Sequence, residues 1–195
     1  MIKVIDNIIN VQEQENIKNK FLGDDNMNWF FQNDVSLKNN LRQQRPGFCH
    51  HFYRNNKINS DVYFLIEQIV TNTVKKLKWK NYTIDNLIEA RSFLQLPLNK
   101  DFIGTGVDTP HLDRTTPHTV FLYYVNNSDG HTIIYNYKSK DKDDIPYAED
   151  VKILKKVKPK QGRVVVFDGL HWHTAEQPTK DVRCIINFNI STNGT

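Results

Sequence analysis

A chain of 195 residues is long enough for one domain with a sizeable core and short for two. Its hydrophobic share of 38% and charged share of 25% are those of an ordinary globular protein, and no apolar run reaches membrane-spanning length. The formal charge of +4 tolerates an anionic partner without demanding one, and Cys49 and Cys184 fit no metal or redox spacing, so they read as reduced thiols of a cytoplasmic protein.

The opening stretch, "MIKVIDNIINVQEQEN", lacks the basic start and small-residue cleavage site of a secretory leader. An amphipathic segment, "VQEQENIKNKFLG", predicts a short helix that stops at Gly23. The clearest helix is "NSDVYFLIEQIVTNTVKKLKW". There Val62, Leu65, Ile66, Ile69, Val70, Val74 and Leu77 recur at helical spacing after Asn59 and Ser60. From about Ala90 the pattern changes to short strands divided by Gly, Asp, Asn and Pro. The candidates are "ARSFLQLP", "HTVFLYYVN", "HTIIYNY", "VKILKKV", "GRVVVFDG" and "RCIINFNI". Helices first and strands afterwards predict an α+β, mainly β, chain built on an antiparallel sandwich or barrel. "YKSKDKDDIPYAEDVK" is too charged for a core and reads as a loop, with "KSKDKDDIPYAED" a candidate lid. Lys152, Lys155, Lys156, Lys158 and Lys160 read as a solvated edge.

The chemistry gathers in "PHLDRTTPHTVFLYYVN". On an extended chain His111 and Asp113 project to one side, and an imidazole beside a carboxylate offers two adjacent metal ligands. A third must come from elsewhere in the barrel. Of the seven histidines, His171 and His173 both follow the apolar strand "GRVVVFDG", and they share strand parity if the segment is extended. Two histidines and one carboxylate form the facial triad of non-haem iron(II) oxygenases, although zinc accepts the same donors. Arg183 adds to this. It stands ten residues after His173 in an apolar strand, where an always-charged guanidinium needs an anion such as the far carboxylate of a five-carbon diacid. The remaining histidines, His50, His51, His118 and His131, read as satisfied polar groups. Trp172 reads equally as packing or as a pocket floor.

The phrases "PHLDR", "FLYYVNNSDGHTIIYN", "GRVVVFDG" and "HTAEQPTKDVRCIINFNI", with "NWFF" and "GFCHHFY" upstream, carry a resemblance to a known family. The chain resembles the iron(II)- and 2-oxoglutarate-dependent dioxygenases, within them the prolyl-hydroxylase-like group, and small oxygenases of phage genomes. The resemblance implies a double-stranded β-helix, or jelly roll, with N-terminal helices packed on one sheet. It implies one domain over 1–195, helix-containing over 1–89 and jelly roll over about 90–190. It makes His111, Asp113 and His173 the metal ligands and catalytic centre, with Arg183, Tyr124 and Thr132 holding 2-oxoglutarate. Tyr123 is the alternative to Tyr124, and His171 to His173.

Fe(II), 2-oxoglutarate and dioxygen are the implied cofactors, with ascorbate as a reductant. Two positions depart from the family pattern: Leu96 replaces a frequent tyrosine and Asn189 a tryptophan found in some members. The implied activity is hydroxylation of a protein side chain, peptidyl proline among the options, with release of succinate and CO2. A small metabolite is an alternative substrate, and a non-catalytic jelly-roll binding module of a virion is an alternative role. Nucleobase-demethylating members place a second arginine where Asn189 stands, which argues against a nucleic-acid partner. A zinc hydrolase lacks an obvious general base. No membrane partner is implied.

Overall fold

The computed structural model describes residues 2–24, 27–33, 45–99, 106–141 and 151–192. In chain order its elements are β1 (Lys3–Ile5), α1 (Val11–Leu22), β2 (Phe30–Gln32), β3 (Gly47–Arg54), β4 (Lys57–Ile58) and α2 (Tyr63–Leu77), then a 3-10 turn and β5 (Leu87–Gln95). There follow β6 (His118–Tyr124), β7 (Thr132–Lys138), β8 (Ile153–Val157), β9 (Val164–Asp168), β10 (His171–Ala175) and β11 (Arg183–Ser191). Among the described residues the larger sheet runs β1-β9-β6-β11-β5-β3-β2 with β4 on β3, and the smaller runs β10-β7-β8. Among the described residues every strand pairing is antiparallel. The architecture is the double-stranded β-helix, with both helices on one face of the larger sheet.

Strand alternation explains how that sheet serves two cores at once. Phe121, Tyr123, Val164, Val166, Ile186, Phe188 and Ile190 point outward, where they pack with Ile17 and Phe21 of α1 and Ile66, Ile69, Val70 and Val74 of α2. Val120, Leu122, Tyr124, Val165, Phe167 and Ile185 point inward and meet Ile134 and Val157 of the smaller sheet. Each such side chain contributes about 1.5–3 kcal/mol when fully buried. Helix α1 begins at a reciprocal cap: Asn10 Oδ1 accepts from the Glu13 N–H at 2.9 Å, and the Glu13 carboxylate accepts from the Asn10 N–H at 3.0 Å.

The helices, the six strands expected in the second half and the exposed lysine edge on β8 stand where the sequence put them. Strands are not confined to the second half, however. β3 inserts between β5 and β2, and β1 pairs with β9. In "GFCHHFYR" burial falls on both faces, so the strand has no simple alternation to read. β10 was equally hidden, because "HWHTA" looks like the loop after an apolar strand. The candidate lid lies mostly outside the described residues.

Candidate metal centre

His111 is brought to His173 by the main chain. An isolated antiparallel bridge joins them, with N–H to O distances of 2.9 and 3.1 Å. Their rings are consequently neighbours, with centroids 4.6 Å apart. Asp113 follows two residues on, and donor atoms of His111, Asp113 and His173 all lie within 4.8 Å of one another. His171 does not join them. The β10–β7 register shifts between His171 and His173, which breaks the simple alternation the sequence suggested. His171 instead donates through Nδ1 to the Tyr135 carbonyl at 2.9 Å. Trp172 packs with Leu112, Ile133 and Tyr135, so its role is packing. His50, His118 and His131 each have a local partner: the Asn28 carbonyl, the Thr116 carbonyl and Glu176.

The donors are prepared for a cation. Nδ1 of His111 lies 3.2 Å from the Thr109 carbonyl, and Nδ1 of His173 lies 3.1 Å from the His171 carbonyl. A carbonyl only accepts, so Nδ1 carries the proton in both rings and Nε2 presents its lone pair. Burial, and then the neighbouring His111, push His173 down to about 4, so its imidazole is neutral at pH 7. For Asp113 burial opposes ionisation. Arg91 and the two histidines outweigh it and hold the carboxyl well below the usual carboxylate range. Two imidazoles and one carboxylate suit a divalent metal such as iron(II).

Sequence reasoning missed what holds Asp113. Arg91 Nη2 donates to Oδ1 at 2.6 Å, and Asn187 Nδ2 donates to Oδ2 at 2.8 Å. Arg91 in turn reaches Glu89 at 3.5 Å, which also meets Arg54 and His51, each at 3.5 Å. Arg91→Leu is expected to lower divalent-metal affinity by about 10–100-fold, the usual cost of losing a residue that orients a ligand. Titration with Mn(II) checks this, and wild-type affinity in the variant would refute it.

His51 lies at the outer end of this chain. Hydrogen bonding to Cys49 and then to Glu89 raises it from 6.5 to about 9. Because the folded state favours the proton, the stability it contributes is present below pH 6.5 and fades as pH rises through about 9. Its side chain is 34% exposed, so the contribution is below about 1 kcal/mol. Denaturation midpoints of wild type and His51→Gln should therefore differ more at pH 6 than at pH 10.

A second polar cluster surrounds Arg183, which is 4% exposed. Its Nε donates to the Gly130 carbonyl at 3.0 Å, Nη1 to Gln95 Oε1 at 2.9 Å and Nη2 to Thr132 Oγ1 at 2.8 Å. Gly130 must be glycine, since a Cβ there would lie 2.6 Å from the Glu176 carbonyl oxygen and 3.0 Å from Arg183 Cδ. The Tyr124 hydroxyl donates to Thr132 at 2.7 Å. Tyr123 belongs to the opposite, helix-covered face. Gln95 was not foreseen; its Nε2 donates to buried Asp108 at 2.8 Å, and Asp108 meets Arg45 at 3.0 Å. Leu96, where the sequence suggested a departure, is 42% exposed. The missed residues did carry a signal: polar side chains inside strands with apolar runs, Arg91 and Gln95 in "ARSFLQ" and Asn187 in "RCIINFNI".

No family model and no curated protein matches the chain. Solved structures do. A viral collagen prolyl hydroxylase from Paramecium bursaria Chlorella virus-1, in complex with 2-oxoglutarate, aligns over 97% of this chain and 94% of its own, with 15% identity and a TM-score of 0.56. A Burkholderia pseudomallei oxidoreductase of the 2-oxoglutarate-Fe(II) oxygenase family aligns over 97% and 84%, with 10% identity and a TM-score of 0.64. The fold is that of the 2-oxoglutarate-dependent oxygenases. A further member of this fold is a Trichoplax adhaerens prolyl hydroxylase in complex with a hypoxia inducible factor peptide fragment. It aligns over 98% and 84%, with 13% identity and a TM-score of 0.60. This chain therefore has an oxygenase fold with a His–Asp–His cluster inside it that could hold a metal. Among the described residues no helix is long and apolar enough to cross a membrane.

Proposed function

We propose that the chain is an iron(II)- and 2-oxoglutarate-dependent dioxygenase that hydroxylates a protein side chain, peptidyl proline being the first to test, with release of succinate and CO2. One observation carries the reading. A three-donor metal cluster and a buried guanidinium with unused N–H groups share the inner side of one barrel. Arg183 has five N–H groups and spends three on Gly130, Gln95 and Thr132. One remains on each terminal nitrogen, the fork a carboxylate accepts.

The residues then have distinct tasks. His111, Asp113 and His173 hold the metal, and Arg91 and Asn187 fix the carboxylate. Arg183 takes the far carboxylate of 2-oxoglutarate. Thr132 accepts from both Tyr124 and Arg183, so its own O–H is left to donate to the same carboxylate. Tyr124 acts through Thr132, orienting that hydroxyl. Val120, Leu122, Phe167 and Ile185 keep water away and strengthen these charge contacts. Bound there, iron and 2-oxoglutarate supply dioxygen activation and C–H oxidation, for which no protein side chain suffices. The protein substrate is supported by two relatives of this fold, one called a collagen prolyl hydroxylase and one bound to a peptide.

Isothermal titration of 2-oxoglutarate into the Mn(II)-loaded protein tests the site, and a capped-peptide panel screened for succinate and one added oxygen tests the reaction. Binding without turnover on peptides would leave the site and remove the protein substrate. No binding would remove the oxygenase reading.

A further inference from the structure

The inner wall of β11 holds amide groups that the tasks above do not use. Asn189 is 1% exposed, and neither its Nδ2 nor its Oδ1 has a hydrogen-bond partner. Asn187, 4% exposed, spends Nδ2 on Asp113 and leaves Oδ1 without a partner. Three buried polar atoms left bare on one strand are costly, at about 1–3 kcal/mol for each unsatisfied group. Native cores seldom tolerate this without a reason.

Their direction is fixed by register. Asn187 points inward, because it reaches Asp113. Asn189 stands two residues on in an unbroken pairing with β6, so it points the same way, about 7 Å farther along the strand. Its lateral partners are Val120 on β6 and Glu89 on β5. Val120 packs in the inner core with Phe167, whose ring lies 5.0 Å from that of His173. The bare amide thus belongs to the wall beside the candidate ligands. Glu89 links it outward, since its partners His51 and Arg54 line an open pocket of about 950 Å³ that also includes Phe30.

We propose that Asn189, with the open Oδ1 of Asn187, binds a secondary amide of the substrate, a peptide bond with its N–H intact, beside the reacting carbon. The inference rests on the oxygenase reading and narrows its substrate class. The side chain is neutral, so it selects a dipolar group and not a charged one. It offers a donor and an acceptor together, the complement of an amide N–H and C=O. A nucleobase presents a similar edge. Yet Asn189 shares the inner wall of the barrel with Val120 and Phe167, and these bulky neighbours leave less room for a flat ring than for a slim chain. The open pocket beyond Glu89 carries the exposed ring of Phe30, an apolar surface for the residues that flank such an amide.

The test uses the full chain loaded with Zn(II) and 2-oxoglutarate and labelled with 15N. The side-chain amide signal of Asn189 is assigned by its loss in Asn189→Leu. N-methylacetamide should shift that signal saturably, whereas methyl acetate, which has the same shape without N–H, should not. A signal unmoved by N-methylacetamide, or moved only by 1-methyluracil, overturns the proposal. Asn189→Leu is also expected to raise the Tm of the unliganded protein by about 3 °C, because it removes bare buried amide atoms. A fall in Tm would mean that a resident water or a structural contact satisfies them, and the proposal fails. With a hydroxylated peptide in hand, the variant should raise its KM about tenfold or more while 2-oxoglutarate affinity holds. Wild-type protein that forms no succinate removes the oxygenase reading, and the amide signal still reports on Asn189. Succinate formation with an unmoved amide signal removes this inference alone.

Discussion

Truncating His173 to alanine is expected to weaken divalent-metal binding by about 10²–10³-fold and to abolish 2-oxoglutarate turnover. A four-ligand site is worth about 10–16 kcal/mol, so one ligand carries about 3–4 kcal/mol. His173 is the cleaner of the two obvious choices. Burial keeps it neutral, so its removal strands no charge. Asp113→Ala also removes the metal, but it leaves the Arg91 guanidinium without its 2.6 Å partner. Breaking a fully buried ion pair costs about 3–5 kcal/mol; this pair is partly buried and costs less, yet enough that lost activity there mixes binding with folding. Mn(II) affinity and the thermal midpoint, measured together, separate the two. A His173→Ala protein with wild-type metal affinity would mean that the three donors do not act as a ligand set.

Arg183→Ala is expected to lower 2-oxoglutarate affinity by 2–5 kcal/mol, about 30- to 5,000-fold, with little change in metal affinity. Among the described residues no carboxylate forms a salt bridge with Arg183. Burial lowers its pKa, and the folded chain bears the desolvation of a charge met only by neutral acceptors. An anion with two carboxylates relieves that cost. It follows that 2-oxoglutarate should raise the thermal midpoint of wild type and leave Arg183→Ala unmoved. Arg183→Lys should rescue little, since an ammonium has no planar fork. Titration of 2-oxoglutarate into each Mn(II)-loaded variant decides the matter, and equal affinities would sink the assignment.

Much of the candidate site could be proposed from the sequence because the chemistry constrains residue type. A metal needs imidazole and carboxylate, and a dianion needs guanidinium. His111, Asp113, Arg183, Tyr124 and Thr132 could therefore be picked out, though from a resemblance in the last two cases. The choice of His173 over His171 rested on its spacing to Arg183, and the register shift in β10 is its physical reason. What could not be read was support that depends on which strands are neighbours. Arg91 and Gln95 become meaningful only when β5 lies against β11, which pairs Arg91 with Asn187 and Gln95 with Arg183. Likewise β3 hid because its two histidines interrupt the apolar rhythm of a strand. The pairing of a first-half strand with second-half strands is a long-range contact that local pattern does not encode.

The two sheets share the work of the site in a way that has mechanical meaning. His173 and Thr132 ride on the smaller sheet, while Arg183, Tyr124, Arg91 and Asn187 ride on the larger. Metal and dianion would each fasten one layer to the other, like two rivets through facing plates. Occupancy of the centre is then expected to stiffen the barrel, and loss of the ligands to loosen it along that seam.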